Sequence, residues 1–235
     1  MEYIAYYLHS SILSTGNTKL AIECYEESLN MIRKLFGLHP TLATVYNNLG
    51  DAYRVTNDLD NAAQYLRRSL AIERMFIAHN TNTTAVSLVN NARVILQSGG
   101  NLTRALYLLD EAYDIRVHVG LKHFTTAMIH THRGSVQLSL EQFGRAAESF
   151  DNAVTILQQL EKGTRPRQMA KALQLWGVAL KNLGSLEQAE QRLTMSLKIS
   201  KKVAKDNDTP CEKEDGVKDA LRELGEVKSM MGMRN

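Results

Sequence analysis

Proline is scarce in this 235-residue chain: three residues, alongside only five phenylalanines. A sandwich or barrel, built from many short strands and proline-rich turns, is disfavoured, and long helices are favoured. Cysteine is nearly as rare. Cys24 and Cys211 lie at opposite ends of the chain with no metal-ligand spacing. A disulfide framework is excluded on that count, and the pair reads as reduced thiols of a cytoplasmic protein. No apolar run approaches the ~18 residues of a membrane span, so no membrane partner is expected. The opening "MEYIAYYLHSSIL" carries an acid at position 2 and neither a basic leader nor a cleavage pattern, so no signal peptide is expected. One-sided charge is also missing. Lys and Arg total 28 against 25 Asp and Glu, a net charge of +3. So small a surplus, with no long run of one sign, does not point to a nucleic-acid partner. What is present is ordinary for a globular chain: 44% hydrophobic and 23% charged residues, with enough length to bury a core.

The chain repeats itself. A small residue, a large apolar or aromatic residue four positions on and a small residue three further recur as Ala21/Tyr25/Ser28, Ala62/Leu66/Ser69, Ala105/Leu109/Ala112, Ala146/Phe150/Ala153 and Ala189/Leu193/Ser196. The anchoring alanines are 41, 43, 41 and 43 residues apart. Twelve residues before them stand Gly50, Gly134 and Gly177, with Arg93 and His9 in the other two units. Five residues before them stand Gly16, Asn57, Gly100, Glu141 and Gly184. All but the glutamate end helices readily in the left-handed conformation, so a looser or differently built turn is expected at Glu141.

Each unit therefore reads as a first helix, a tight turn and a longer second helix. In "VYNNLGDAYRVTNDLDNAAQYLRRSL" (45–70), Val45, Tyr46, Leu49, Ala52 and Tyr53 make one apolar stripe. Leu59, Ala62, Leu66, Ser69 and Leu70 make the facing one. Gly50 is then the point where the second helix crosses the first. Unit four carries His130, Arg133 and Gln137 at positions apolar elsewhere, so its first helix is expected to pack less well. Unit five has the most hydrophobic first helix, with the sole tryptophan, Trp176, filling an inter-helix gap. Thr209-Pro210-Cys211-Glu212 offers a helix start. The segment after it, with Leu221-x-x-Leu224-Gly225, reads as a first helix whose second is missing, capping the array with Lys218, Arg222, Glu223 and Glu226 outward.

Tyr46-x-x-Leu49-Gly50-x-x-Tyr53 followed by Ala62-x-x-x-Leu66 resembles the tetratricopeptide repeat pattern. The long period, with His39-Pro40, Ala43 and an asparagine pair before Leu49-Gly50, is similar to the repeats of kinesin light chains. The resemblance covers essentially the whole chain. It implies an all-α fold, a right-handed α–α superhelix of five helical hairpins (about 1–40, 41–83, 84–125, 126–168 and 169–206) with a capping helix at 210–231, as a single domain. It also implies a non-enzymatic scaffold or adaptor that binds an extended peptide or partner helix in a groove lined by the first helices. No cofactor is expected, and the alternative is a sensor or regulatory fragment of a larger signalling protein, such as a repeat-bearing NTPase.

Nothing catalytic stands out. His118, His123, His130 and His132 lack metal-ligand spacing, and "SGGN" at 98–101 is a turn without the lysine of a phosphate loop. The candidate groove residues are Asn47, Asn48, Asp51 and Arg54 in unit two, and Asn90, Asn91, Val94 and Gln97 in unit three. Unit four supplies Thr131, His132, Ser135 and Leu138; unit five supplies Lys171, Gln174, Val178 and Lys181. Asn47-Asn48 recurs 43 residues later as Asn90-Asn91. A side-chain amide both donates and accepts, as an extended peptide backbone requires. Adjacent residues lie ~100° apart on a helix, so one amide of each pair faces the groove and the other its edge. The same amides would equally serve to bond neighbouring helices, and both readings stand at this point. Arg165, Arg167, Lys171 and Lys181 would favour an acidic stretch of ligand.

Overall fold

The computed structural model describes residues 18–76, 82–121, 123–160, 165–207 and 214–232. Among these residues the chain is all-α, with ten helices and no strand. It divides into two compact units, 1–120 and 121–235.

The first unit holds α1 (Thr18–Phe36), α2 (Thr41–Val55), α3 (Leu59–Phe76), α4 (Asn82–Gln97) and α5 (Leu102–Val119). Helix α3 packs on α2 and α5 on α4, each pair joined by a short turn. The alanine–leucine–serine register explains the close packing. Ala62, Leu66 and Ser69 are all fully buried, and a Cβ placed on Gly50 would lie 2.5 Å from Leu66 Cγ and 3.2 Å from the Ala62 carbonyl oxygen. Only a hydrogen fits there. Ser69 adds what its smallness alone does not: its hydroxyl donates to the Ala43 carbonyl of α2 at 2.8 Å. A buried carboxyl, Glu73 at 3% exposure, continues from that hydroxyl through Ser87 of α4.

The second unit holds α6 (Phe124–Ser139), α7 (Phe143–Gln159), α8 (Pro166–Asn182), α9 (Leu186–Asp206) and α10 (Asp215–Gly232). Proline begins α8, where its missing N–H costs nothing, and the His123 ring caps α6 by accepting the Thr125 N–H. Phe150 lies across Gly134, where a Cβ would come within 2.7 Å of its ring, and Leu193 lies 2.5 Å from the corresponding point on Gly177. Ser196 repeats the backbone bond of Ser69, donating to Ala170 O at 2.7 Å. Trp176 is buried, with the Arg192 guanidinium 3.8 Å from its ring centroid.

Three expectations are corrected. The turn at Glu141 is not looser. Its φ of 58° matches the 63° of Asn57. The same pair of bonds closes both turns: Gln142 N–H to Gln137 O and Glu141 N–H to Leu138 O, as Asp58 N–H to Tyr53 O and Asn57 N–H to Arg54 O. The 6→1 and 5→2 bonds outweigh the local cost of a left-handed glutamate. In unit three the left-handed residue is Gly99 (φ 64°), not Gly100. Helix α4 ends one residue early, and Gly100 and Asn101 fill the longer turn, Asn101 accepting the Arg104 N–H as a cap at 2.9 Å. The first helix of unit four is not poorly packed. His130 and Gln137 are buried, and Gln137 accepts the Ser149 hydroxyl at 2.7 Å; a paired polar group is tolerated in a core. His9, Gly16 and the Thr209–Glu212 helix start lie outside the described residues.

Candidate functional site

In the first unit, the predicted residues of units two and three meet along the contact of α2 with α4. Asn90 Nδ2 donates to Asn47 Oδ1 at 3.0 Å. Asp51 receives Arg93 at 3.1 Å and Arg54 at 2.8 Å, and Arg93 also donates to Asn90 Oδ1 at 2.9 Å. Arg54 donates to Gln97 Oε1 at 3.2 Å, and Gln97 Nε2 reaches Asn57 at 3.0 Å. The pairs that cross from α2 to α4 join positions about one repeat apart, so a polar seam runs down adjoining first helices. Arg93, at the register where three other units have glycine, uses its length to reach across that seam.

The two asparagines of each pair part company. Asn47 and Asn90 bond each other, and Asn90 is only 5% exposed. Asn48, half-buried, has no hydrogen bond recorded to any described residue. Asn91 donates to its own helix at Ser87 O (2.9 Å) and weakly to Leu66 O of α3. Val94 is not on a surface; it packs on Ala62 and Leu66.

In the second unit the predicted residues are dispersed. The hydroxyls of Thr131 and Ser135 turn back onto the carbonyls four residues earlier in α6. Gln174 is 4% exposed and accepts from Lys171 at 3.0 Å. The basic side chains of α8 already have counter-charges, supplied by Glu214 and α10. Lys181 donates to Glu223 and Glu226, both at 2.6 Å. Lys171 faces Asp219 at 3.7 Å and Arg167 faces Glu214 at 3.5 Å. Arg165 lies over the Phe124 ring, 3.8 Å from its centroid. Between α8, α9 and the start of α10 lies an open polar cleft of about 310 Å³, lined by Arg167, Lys171, Gln174, Ser200 and Asp219 among others. Sequence reasoning named the cations of α8 but not their partners, because the acids lie 42 to 48 residues downstream on a segment read as a cap.

Burial alone would lower the Lys181 pKa, yet its hydrogen bonds and attraction to Glu223 and Glu226 carry it above the ordinary lysine value. The bond from Lys181 holds the Glu226 carboxyl below its ordinary value. Both signs favour the pair in one window. The carboxylate contribution is present above its unfolded pKa and lost as pH falls through the folded one. The lysine contribution is present below its unfolded pKa and lost as pH rises through the folded one. Replacing Lys181 by Met is expected to cost about 1 kcal/mol and to speed amide exchange in α10 at pH 7. The variant and the parent should converge once the carboxylates are protonated; unchanged exchange in α10 would remove the pair from its docking.

No group of three or more His, Cys, Asp or Glu among the described residues is arranged to hold a metal ion, and no helix there is long and apolar enough to cross a membrane. Residues 2–74 match the tetratricopeptide repeat family. Over 178 residues, 74% of this chain, the sequence is 25% identical to kinesin light chain-related 3 of Arabidopsis thaliana, covering 26% of that protein. The chain thus spans about a quarter of the length of that relative. Among solved structures, BtubC (BKLC) of P. vanneervenii superposes with a TM-score of 0.71 at 22% identity, covering 88% of this chain and 81% of that one. The apo form of RapI superposes with a TM-score of 0.71 at 15% identity, covering 99% and 84%. Helical pairs in a 41–43-residue register, glycines under crossing side chains and these likenesses converge on the tetratricopeptide-repeat fold, with residues 2–74 matching the family itself and the repeats similar to those of kinesin light chains.

Proposed function

We propose that the chain is a non-enzymatic interaction module that holds an extended segment of a partner protein along the α2–α4 face through side-chain amides. Proteins built from such repeats serve in general as protein-interaction scaffolds. The observation that carries the finer reading is the division of labour between the asparagines. Asn47 and Asn90 are spent on each other, whereas Asn48 and the carbonyl of Asn91 have no recorded partner among the described residues. An extended backbone presents a donor and an acceptor per residue, and an amide satisfies both. The seam at Asp51, Arg54 and Arg93 holds the two helices at fixed spacing, so the amides are positioned before a ligand arrives.

An acidic ligand is not part of this reading. Three of the four cations that would have selected one, Arg167, Lys171 and Lys181, are matched by Glu214 and carboxylates of α10.

A peptide array probed with the intact chain selects a binder, and calorimetry then compares variants. Asn48→Ala/Asn91→Ala should weaken that peptide at least tenfold, about 1.4 kcal/mol, without lowering the melting temperature. Asn47→Ala/Asn90→Ala should lower stability by about 1 kcal/mol instead. Equal affinity for parent and Asn48→Ala/Asn91→Ala rejects the amide clamp.

A further inference from the structure

On a second face of α2, apart from the one bonded to α4, Tyr46 and Tyr53 form a row with Tyr65 of α3. Tyr53 and Tyr65 stack with centroids 5.4 Å apart and planes within 6°. Tyr46 lies 6.0 Å from Tyr65. Two guanidinium groups lie near the Tyr46 ring. Arg33 donates to the Tyr46 hydroxyl and lies 5.6 Å from its ring centroid. Arg68 lies 6.0 Å from the same ring and 5.6 Å from that of Tyr65. At the other end the Tyr53 hydroxyl donates to Glu26 at 2.8 Å; desolvation first, and that carboxylate second, push the phenol up to about 12.

The charge balance of this row is uneven. Arg54, Arg93, Arg167 and Lys181 each have a carboxylate partner, but neither Arg33 nor Arg68 has one among the described residues. Two like charges beside one ring repel each other. They are held there by the ring quadrupole and, for Arg33, by the hydroxyl. Both are exposed. Their planar forks are pre-positioned, and such forks match the oxygens of carboxylate or phosphate better than a lysine would.

We propose that Arg33 and Arg68, converging on Tyr46, receive one anionic side chain of a partner protein, carboxylate or phosphate monoester, at a site separate from the amide face. Glu26 repels a second anion at the far end, so the tyrosine row takes a neutral residue beside the anionic one and sets the direction in which the segment lies.

Three peptides differing only at the centre, acetyl-Gly-Ala-X-Ala-Gly-amide with X as serine, glutamate or phosphoserine, are titrated to about 10 mM into ¹⁵N-labelled protein. The Nε–Hε signals of the arginines are followed. Saturable shifts confined to Arg33 and Arg68 with an anionic peptide, and none with the serine peptide, are expected. Tighter binding of phosphoserine marks phosphate as the source, and equal or tighter binding of glutamate marks carboxylate. Arg33→Gln/Arg68→Gln should weaken binding at least tenfold. Lys34→Gln/Arg67→Gln, which removes the same charge from neighbouring exposed positions on the same helices, should leave it unchanged. Equal loss in both pairs, shifts spread over all exposed arginines, or no shift with either anionic peptide overturns the proposal.

Discussion

Gly50→Ala and Gly177→Ala should each unfold more easily than the parent by about 1–3 kcal/mol, the cost of forcing a methyl into a filled core. Alanine is the better helix former by up to ~1 kcal/mol, so propensity alone predicts the opposite sign. Packing wins because the new Cβ would stand 2.5 Å from the γ-carbon of Leu66 or Leu193, with the backbone oxygen of Ala62 or Ala189 just behind it. A leucine end can rotate; a helix carbonyl cannot. Gly225 of α10 supplies the control. It occupies the matching place in the Leu221-x-x-Leu224-Gly225 run, but no described residue lies within 4 Å of its Cβ position. Gly225→Ala should therefore gain up to ~1 kcal/mol. Chemical denaturation of the three variants decides the matter. Combining Gly50→Ala with Leu66→Ala should cost less than the sum of the two singles, because the second removes what the first collides with. Strict additivity would mean the crossing is not where the strain arises.

Glu73→Gln should raise stability at neutral pH by about 1–3 kcal/mol, the penalty of leaving one buried carboxylate oxygen without a partner. Glu73 is 3% exposed; its Oε1 accepts Ser87 at 2.8 Å, and Oε2 has no hydrogen-bond partner among the described residues. Desolvation pushes its pKa above the ordinary value, against the opposing bond from Ser87. Both nearby hydroxyls are already committed, Ser87 donating to Glu73 Oε1 and Ser69 to Ala43 O, so neither supplies a hydrogen to Oε2. With the folded pKa raised, the stabilising contribution is complete below the unfolded value, about 4.3, and is lost as pH rises through the folded one. The gap between Glu73→Gln and parent should accordingly be smallest in acid and widen toward neutrality. A gap independent of pH would mean that burial does not raise the pKa of the carboxyl.

Much of the architecture was legible before any coordinate. The alanine and glycine registers are packing constraints, and packing constraints leave a mark at fixed spacing. Gly50, Gly134 and Gly177 sit under Leu66, Phe150 and Leu193, four residues past the alanines. Glu73 left a mark too, overlooked among apolar neighbours: it falls four residues after Ser69, on the same inward face. The turn at Glu141 was misread because side-chain preference weighs less than two backbone hydrogen bonds closed by the helices on either side.

Hydrophobic period and residue size are properties of a single strand of text, and they dictate which faces turn inward and how often the unit recurs. Charge partners are not. Lys181 meets Glu223 and Glu226, and Arg93 meets Asp51 and Asn90, because helices distant in the chain are set side by side. Long polar side chains are free to choose among several neighbours within reach, and that choice rests on distances of a few ångströms that no spacing rule contains. Hence the separation of Asn48 from Asn47, and the pair of arginines left without a counter-ion over Tyr46, emerged only when the helices were packed.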